Sequence, residues 1–364
     1  MNVCIIGEGL TALSLAKSLI NKKINVHYYY KSRNSNFSSN RTIGISKSNF
    51  EFFKEKIFQI SKNNYWKINR IEIYTDKIDT ENLLKFENDK NDLFYIIKND
   101  ELLKSLNSNL IKSKFFKKII LSKNINEEFL NKKEYDLIIN CDANNFLAKK
   151  YFTKKISKNY YNLAYTTILK HKKIENNTAT QIFTKQGPIA FLPISSTETS
   201  VVYSMDIKNK KFDNSDVIDL INKNNPKYLI NKIDKLNSFE LSSSNLRNYY
   251  HKNILAFGDM LHRVHPLAGQ GFNMTIRDLR ILTKIIEDKI ELGMQLDSQI
   301  FDEFEKKTKD KNFVFSKAID LIYESFNLDK KVQNKSFSKI LKSIGKNKNL
   351  NNYFIKLADT GINF

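Results

Sequence analysis

The residues best suited to chemistry crowd into one stretch, Ile254 to Leu282, which reads ILAFGDMLHRVHPLAGQGFNMTIRDLRIL. Gly258, Pro266, Gly269 and Gly271 all fall inside it, although the 364-residue chain holds only 10 Gly and 4 Pro. Four of the seven Arg lie between Arg247 and Arg280. The run Ile254 to Phe257 predicts a short buried strand that ends at Gly258-Asp259. After a tight loop, Gly269-Gln270-Gly271 leads into a helix with Ile276, Leu279, Leu282 and Ile286 on one face. An acid therefore stands at a strand end, close to a helix that begins without side chains over its amides. The acid can accept hydrogen bonds from hydroxyl groups, and the bare N–H groups and helix dipole can stabilise an anion. That pairing suits a flavin, whose reduced form carries negative charge on its pyrimidine edge. His262 and His265 have the i, i+3 spacing of a metal pair, but no third ligand accompanies them and the loop accounts for them better, so no metal is expected.

A second glycine cluster opens the chain. The apolar run Asn2 to Ile6 is followed by Gly7-Glu8-Gly9-Leu10-Thr11-Ala12, then by Leu13, Ala16, Leu19 and Ile20 at helical spacing, then by the β-branched and aromatic run Asn25 to Tyr30. This is a βαβ pattern. Gly7 permits the turn, Gly9 lets backbone N–H groups approach a pyrophosphate, and Ala12 is small enough for helix-on-strand packing. A plain strand-to-helix turn is the competing reading. The acid that would bind a ribose at the end of the second strand is missing, since Tyr30 and Lys31 stand there.

These sites need a frame. From about Tyr160 to Asp206 polar and apolar residues alternate, which predicts an antiparallel sheet with one buried face. A strand over Tyr135 to Cys141 precedes it. From about Gln299 the chain reads as helix, with Phe301, Phe304, Phe313, Phe315, Ile319 and Ile322 as a core-facing stripe. Trp66 and Tyr74 read as core aromatics, with a tunnel for an apolar ligand as the other reading, and Arg277-Asp278 as a surface or helix-packing pair.

Composition narrows the classes. Hydrophobic content of 41% and aromatic content of 12% are too high for a disordered chain. No apolar run reaches the length of a membrane span and MNVCIIGEGL lacks a signal peptide's basic start, so a cytoplasmic protein is expected. Cys4 and Cys141 read as core thiols. The net charge of +21 would suit nucleic acid or anionic lipid. The lysines are scattered, however, and only 7 of 60 basic residues are Arg, so a solvated surface is expected and no nucleic-acid partner. Loose contact with the inner face of an anionic membrane stays open.

The stretch GDMLHRVHPLAGQGFNMTIRDL resembles the second flavin-binding motif of the FAD-dependent aromatic hydroxylases, the para-hydroxybenzoate hydroxylase class, and most closely their ubiquinone-biosynthesis branch. Gly258, Asp259, His262, His265, Pro266, Ala268, Gly269, Gln270, Gly271, Asn273 and Asp278 fit that motif. Gly187 to Pro193 (GPIAFLP) is similar to the branch's substrate-lobe strand, and Arg41 to Ser46 (RTIGIS) to the segment that places an Arg over the flavin. The resemblance implies an α/β fold: a Rossmann-like FAD-binding domain with an inserted antiparallel-sheet substrate domain and C-terminal helices. Its boundaries would be 1–65, 92–158 and 245–290 for the FAD-binding domain, 66–91 and 159–244 for the substrate lobe, and 291–364 for the helical region.

It also implies roles. Gly7, Gly9, Leu10, Thr11 and Ala12 would meet the dinucleotide, Gly258 and Asp259 the ribityl chain, and Gly269, Gln270, Gly271, Phe272 and Asn273 the isoalloxazine. Arg41, Asn99 and Asp142 would contact FAD from facing loops. Pro266 would line the space where flavin and aromatic ring meet. The implied reaction is hydroxylation of a polyprenylated phenol in ubiquinone biosynthesis, with NAD(P)H as reductant, dioxygen as co-substrate and a flavin hydroperoxide as the oxygen donor. Quinone-biosynthesis proteins would be partners. A hydroxylase of a soluble aromatic compound and a weakly active flavoprotein subunit of a biosynthetic assembly are the alternatives. The chain departs from the pattern at Cys141-Asp142-Ala143-Asn144-Asn145, where Ala143 replaces a Gly and the trailing Arg is absent.

Overall fold

The computed structural model describes residues 1–31, 41–75, 82–87, 92–121, 134–208, 212–332 and 347–362. In chain order, β1 (Asn2–Ile6), α1 (Leu10–Ile20) and β2 (Asn25–Tyr30) form a βαβ unit. There follow β3 (Thr42–Ser46), α2 (Lys47–Phe52) with a π-helical turn Phe53–Ile57, β4 (Trp66–Ile68), β5 (Arg70–Thr75), β6 (Leu84–Glu87) and β7 (Phe94–Lys98). Next come α3 (Asn99–Ile111), β8 (Phe116–Ile120), β9 (Leu137–Asn140) and α4 (Phe146–Tyr151). The middle holds β10 (Lys155–His171), β11 (Thr178–Phe183), β12 (Pro188–Pro193), β13 (Glu198–Asp206), α5 (Asn214–Lys223), β14 (Ile230–Ile233) and β15 (Asn237–Leu246). The last part consists of β16 (Tyr250–His251), β17 (Ile254–Ala256), β18 (His262–Arg263), α6 (Gln270–Glu291), α7 (Gln299–Val332) and α8 (Lys348–Thr360).

The first sheet has the order β16-β17-β9-β1-β2-β8 and is parallel apart from the β16–β17 pair. β1 and β9 are unbroken apolar runs because α1, α6 and the start of α7 enclose the sheet, leaving Val3 to Ile6 and Leu137 to Ile139 without exposed surface. β1 pairs with β2 on one side and β9 on the other, so the order of travel reverses there. A crevice opens at such a reversal, over the C-terminal strand ends that carry Gly7 and Cys141.

The second sheet runs β18-β15-β10-β13-β12-β11-β5-β6, with β14 also on β10. The alternation predicts one buried face, but both are covered. Ile182 packs into a cluster with Val217 and Ile221 of α5, while its neighbour Phe183 points the other way and stacks on Phe326 of α7, ring centroids 3.4 Å apart. Alternation along the strand sends these neighbours to opposite faces, and the face expected to be open is covered by a helix distant in sequence. β10 starts earlier than its apolar pattern does, since Lys155 to Asn159 pair with β15 through backbone bonds. The register then shifts between Asn159 and Asn162, with Tyr161 at φ 56°.

β3, β7 and β4 form a small antiparallel sheet between the two. The α7 stripe needs a correction: Phe301, Phe304, Phe315 and Ile319 are buried, but Phe313 and Ile322 are each 37% exposed. A spacing of 3.6 residues carries the buried line through Thr308, Asn312, Tyr323 and Phe326 instead. Trp66 donates Nε1–H to the Asn176 carbonyl at 2.5 Å and packs beside Ile68, Ile96 and Ala179, as a core aromatic does.

Candidate functional site

The crevice is built from three strand ends and two helix starts. α1 begins at Gly9, which has φ 121° and no side-chain cap, and a Cβ added there would meet nothing within 4 Å. The first amides of α1 thus face open space, apart from the Gly9 N–H, which faces the buried Tyr28 hydroxyl. The side chains of Leu10 and Ala12 are buried, so these residues offer the crevice their backbone only. Thr11 has a different task. Gly258 sits at φ 68° directly against it, and a Cβ at Gly258 would lie 2.5 Å from Thr11 Cγ2. Only glycine allows this approach, which brings the end of β17 onto the start of α1.

Asp259 follows and is exposed, with no hydrogen bond to any described residue. Burial first, and then the carboxylates of Asp259 and Asp142, push the Cys141 thiol well above its usual range, so both acids face the same strand end. Asp142 is partly engaged: its Oδ1 accepts the Asn144 N–H at 2.8 Å and Lys31 Nζ lies 3.8 Å from its Oδ2. Lys31, at the end of β2 where the expected acid is missing, thus reaches toward the end of β9. Beside it Lys118 lies over the Tyr30 ring, 4.4 Å from the centroid. Ala143 does not strain its turn, because it is not among the described non-glycine residues at positive φ. Asn140 and Asn145 exchange side-chain hydrogen bonds at 2.8 and 3.2 Å, Asn140 Oδ1 accepts the Asp142 N–H, and Asn145 caps α4 through the Ala148 N–H. Side-chain bonds here stabilise what a glycine would otherwise permit.

The second bare helix start is α6. Its N-cap, Gly269, is left-handed at φ 63°, ψ 26°, without a side-chain cap, and Gly271 borders open space. Asn273 is fully buried and clamps this start to β3. Its Nδ2 donates to Gly44 O at 2.9 Å and Gly269 O at 3.1 Å, while its Oδ1 accepts from Ser46 N at 2.9 Å and Asn49 Nδ2 at 3.1 Å. The amide is therefore spent on the protein. The Gln270 side chain is buried too, and Phe272 leans on Phe53 of the π-helical turn at 6.3 Å. The sequence pattern could not show this, since Gly44 and Asn273 lie 229 positions apart.

Pro266 is half-buried and its carbonyl accepts the Gly269 N–H at 3.1 Å, closing a short turn ahead of α6. Two histidines hold this loop. His265 accepts the Leu267 N–H on Nδ1 at 3.2 Å, stacks on Tyr323 of α7 at 4.2 Å and meets Tyr160 of β10 edge-on at 5.0 Å. Burial, helped by Lys158, pushes its pKa down to about 3, so it is neutral. His262 donates Nε2–H to Asp278 Oδ2 at 2.6 Å, and Asp278 Oδ1 accepts from Asn312 of α7 at 2.9 Å. Asp278 is thus a buried tether rather than half of a surface pair, and among the described residues no group of three His, Cys, Asp or Glu could hold a metal. The side chain of Ala268 lies outside what is described.

Arg41 and Asn99 are brought side by side, for the Asn99 N–H donates to the Arg41 carbonyl at 3.0 Å across the β3–β7 edge. Arg41 itself is exposed. Thr42 Oγ1 donates to Ser200 Oγ at 2.9 Å and Lys98 Nζ pairs with Glu198 at 2.9 Å, so this edge is fastened to the large sheet. Among the described residues no helix is long and apolar enough to cross a membrane.

Residues 160–305 match the family described as FAD binding domain. The mitochondrial ubiquinone biosynthesis monooxygenase COQ6 of Caenorhabditis elegans is 25% identical over 197 residues, 43% of this chain and 44% of that protein. The 3-demethoxyubiquinol 3-hydroxylase of Escherichia coli (strain K12) is 26% identical over 153 residues, 40% of this chain and 39% of that protein. The alignments span between 34% and 50% of the length of the first curated relatives. Among solved structures, the p-nitrophenol 4-monooxygenase PnpA from Pseudomonas putida DLL-E4 has the same fold, with a TM-score of 0.77 at 12% identity over 100% of this chain and 98% of that one.

Proposed function

We propose, for a chain that has the fold of the FAD-dependent aromatic hydroxylases and resembles their ubiquinone-biosynthesis branch, that it is a monooxygenase hydroxylating the ring of a polyprenylated phenol in ubiquinone biosynthesis. The observation that carries this reading is the pair of bare helix starts, Gly9 and Gly269, beside a strand end that leaves Asp259 free to accept hydrogen bonds. FAD fits these residues, because open space stands where side chains at Gly9 and Gly271 would be. The N–H groups of Leu10, Thr11 and Ala12 would hold its pyrophosphate, with Gly7 and Gly9 leaving room. Asp259, after Gly258, would accept from the ribityl hydroxyls. The backbone around Gly269, Gln270, Gly271, Phe272 and Asn273 would face the isoalloxazine, and Arg41, Asn99 and Asp142 would close the opposite edges.

Bound there, FAD would supply the redox and dioxygen chemistry that side chains lack, with a reduced nicotinamide as reductant. The chain's own residues orient and exclude. Pro266 would border the aromatic ring, and neutral His265 would hold the Pro266 turn without bringing a charge to it. The large sheet and α7 would keep water out. A loose contact with anionic lipid at the inner membrane face belongs to the same reading. It is supported by the net charge of +21 and by apolar groups such as Leu321 and Leu328 on the outer side of α7.

Deleting the gene and profiling quinone intermediates tests the proposal. The expected result is loss of ubiquinone with accumulation of a prenylated phenol, and normal ubiquinone without a precursor would overturn it. Nicotinamide oxidation stimulated by soluble phenols but not by prenylated ones would favour the soluble-aromatic alternative.

A further inference from the structure

Away from the crevice, α6, α7, the end of α8 and the residues after it border an open-sided cavity of about 160 Å³. Three cations line it: Arg277 and Arg280 on α6, three residues apart, and Lys311 on α7. Arg277 lies over the Phe315 ring, its Cζ 4.5 Å from the centroid. The chain crosses the guanidinium at Gly361, where an added Cβ would come within 3.0 Å of Nε. Nη1 of Arg277 is sealed from solvent and has no hydrogen-bond partner, and no carboxylate oxygen of the described residues lies within 4.0 Å of the guanidinium. Lys311 likewise makes no ion pair with a described residue.

The acids nearby are already occupied. Asp278 is the one carboxylate on the lining, and its two oxygens accept from His262 and Asn312. Asp359 accepts from the N–H and hydroxyl of Ser48 at 2.8 and 2.9 Å. Arg280 uses one N–H on the Ser48 carbonyl at 2.9 Å and rests on the Phe52 ring. A charged group with an atom held out of water is costly unless it is paired, and no carboxylate of the described residues pairs Nη1. Burial lowers the pKa of Arg277 to about 10, against the pull of Asp278 and Asp359, so the group remains a cation at neutral pH.

We propose that this cavity is a binding site for a phosphate-type oxyanion, held by Arg277 and Lys311 with Arg280 at its edge. A guanidinium fork matches two oxygens of such a group, and Lys311 supplies a point charge from the facing helix. A single water needs about 10–15 Å³, so the space admits a group several times larger. An oxyanion there would tie α6, α7 and the C-terminal segment together through one counter-charge. The ligand could be free phosphate or the phosphate end of a larger molecule, since both present the same oxygens.

Thermal unfolding and titration calorimetry of the full chain, in sodium phosphate and in sodium chloride at equal ionic strength, test the site. Saturable stabilisation by phosphate alone is expected, with Kd raised about tenfold or more in Arg277→Gln and in Lys311→Gln. Lys311→Gln keeps the test valid if the Arg277 substitution fails to fold. Glycerol 3-phosphate separates the sources: tighter binding than phosphate identifies a phosphate end, weaker binding a free ion. Equal responses to phosphate and chloride, or variants that respond as the parent does, would overturn the proposal.

Discussion

Replacing Asn273 by Ala removes four hydrogen bonds at once and takes the side-chain partner from the buried Gly44 carbonyl and the buried Ser46 N–H. Buried polar groups left without partners cost about 1–3 kcal/mol each, so a loss of about 3 kcal/mol is expected in urea unfolding. FAD occupancy should fall with it, because the bare start of α6 would no longer be fixed to β3. Asp259→Ala should act differently. Its carboxylate supports no described residue, so stability should stay within about 0.5 kcal/mol while FAD binding weakens by about tenfold or more, read by flavin fluorescence titration. Unchanged occupancy would mean that Asp259 does not touch the cofactor. Residues of the second kind were legible from the chain, since an acid after a strand-ending glycine needs no partner to be recognised. Asn273, His265 and Asp278 were legible only as motif letters, because their partners Gly44, Tyr323 and Asn312 are brought in by other elements.

Elements meet most tightly where β17 ends on α1. Gly258→Ala combines a left-handed backbone with a methyl group 2.5 Å from Thr11 Cγ2, and either term alone is unfavourable. The substitution should destabilise by about 2–3 kcal/mol, and adding Thr11→Ala should recover part of that loss by removing the clash while leaving the backbone term. Full additivity of the two substitutions in denaturant titrations would contradict the contact. Helical periodicity made α1 and α6 readable, because their apolar residues recur at 3 and 4 residues, although α1 proves buried on nearly every side. It misled at Phe313 and Ile322, where the large apolar side chain stands beside the buried stripe and polar Asn312 and Thr308 stand in it. Hydrophobicity reports what a residue prefers, whereas the inward positions on α7 also had to supply a donor for Asp278. The first half of β10 escaped notice for a related reason: its residues are polar, and backbone pairing with β15 holds them.

At the scale of the molecule, the large sheet, α7 and the loop before α6 meet around one imidazole. His265 is 1% exposed and stays neutral down to about pH 3, while in the unfolded chain it would protonate near 6.5. Between those values the unfolded state binds the extra proton, so stability rises with pH across that window and falls on acidification, by at most about 1.4 kcal/mol per pH unit from this group. His265→Asn, which keeps an acceptor for the Leu267 N–H, should flatten the decline in Tm between pH 7 and pH 5. Equal slopes for the two proteins would assign the acid sensitivity to other groups.

The shift in β10 that delivers Tyr160 to this imidazole has a consequence for chain length. Asn159 pairs with Ser242 and Asn162 with Leu241, so two residues on β10 have no counterpart on β15. An even excess preserves the in-and-out parity of the strand on both sides of the irregularity. Loss of Tyr161 alone would break that parity and turn one half of the seventeen-residue strand inside out, whereas loss of Tyr160 and Tyr161 together would keep the faces and remove the contacts of Tyr160 with His265, Tyr323 and Asp320. At this point a single codon gained or lost is therefore expected to be more damaging than two, which thermal unfolding of the one- and two-residue deletions would read directly.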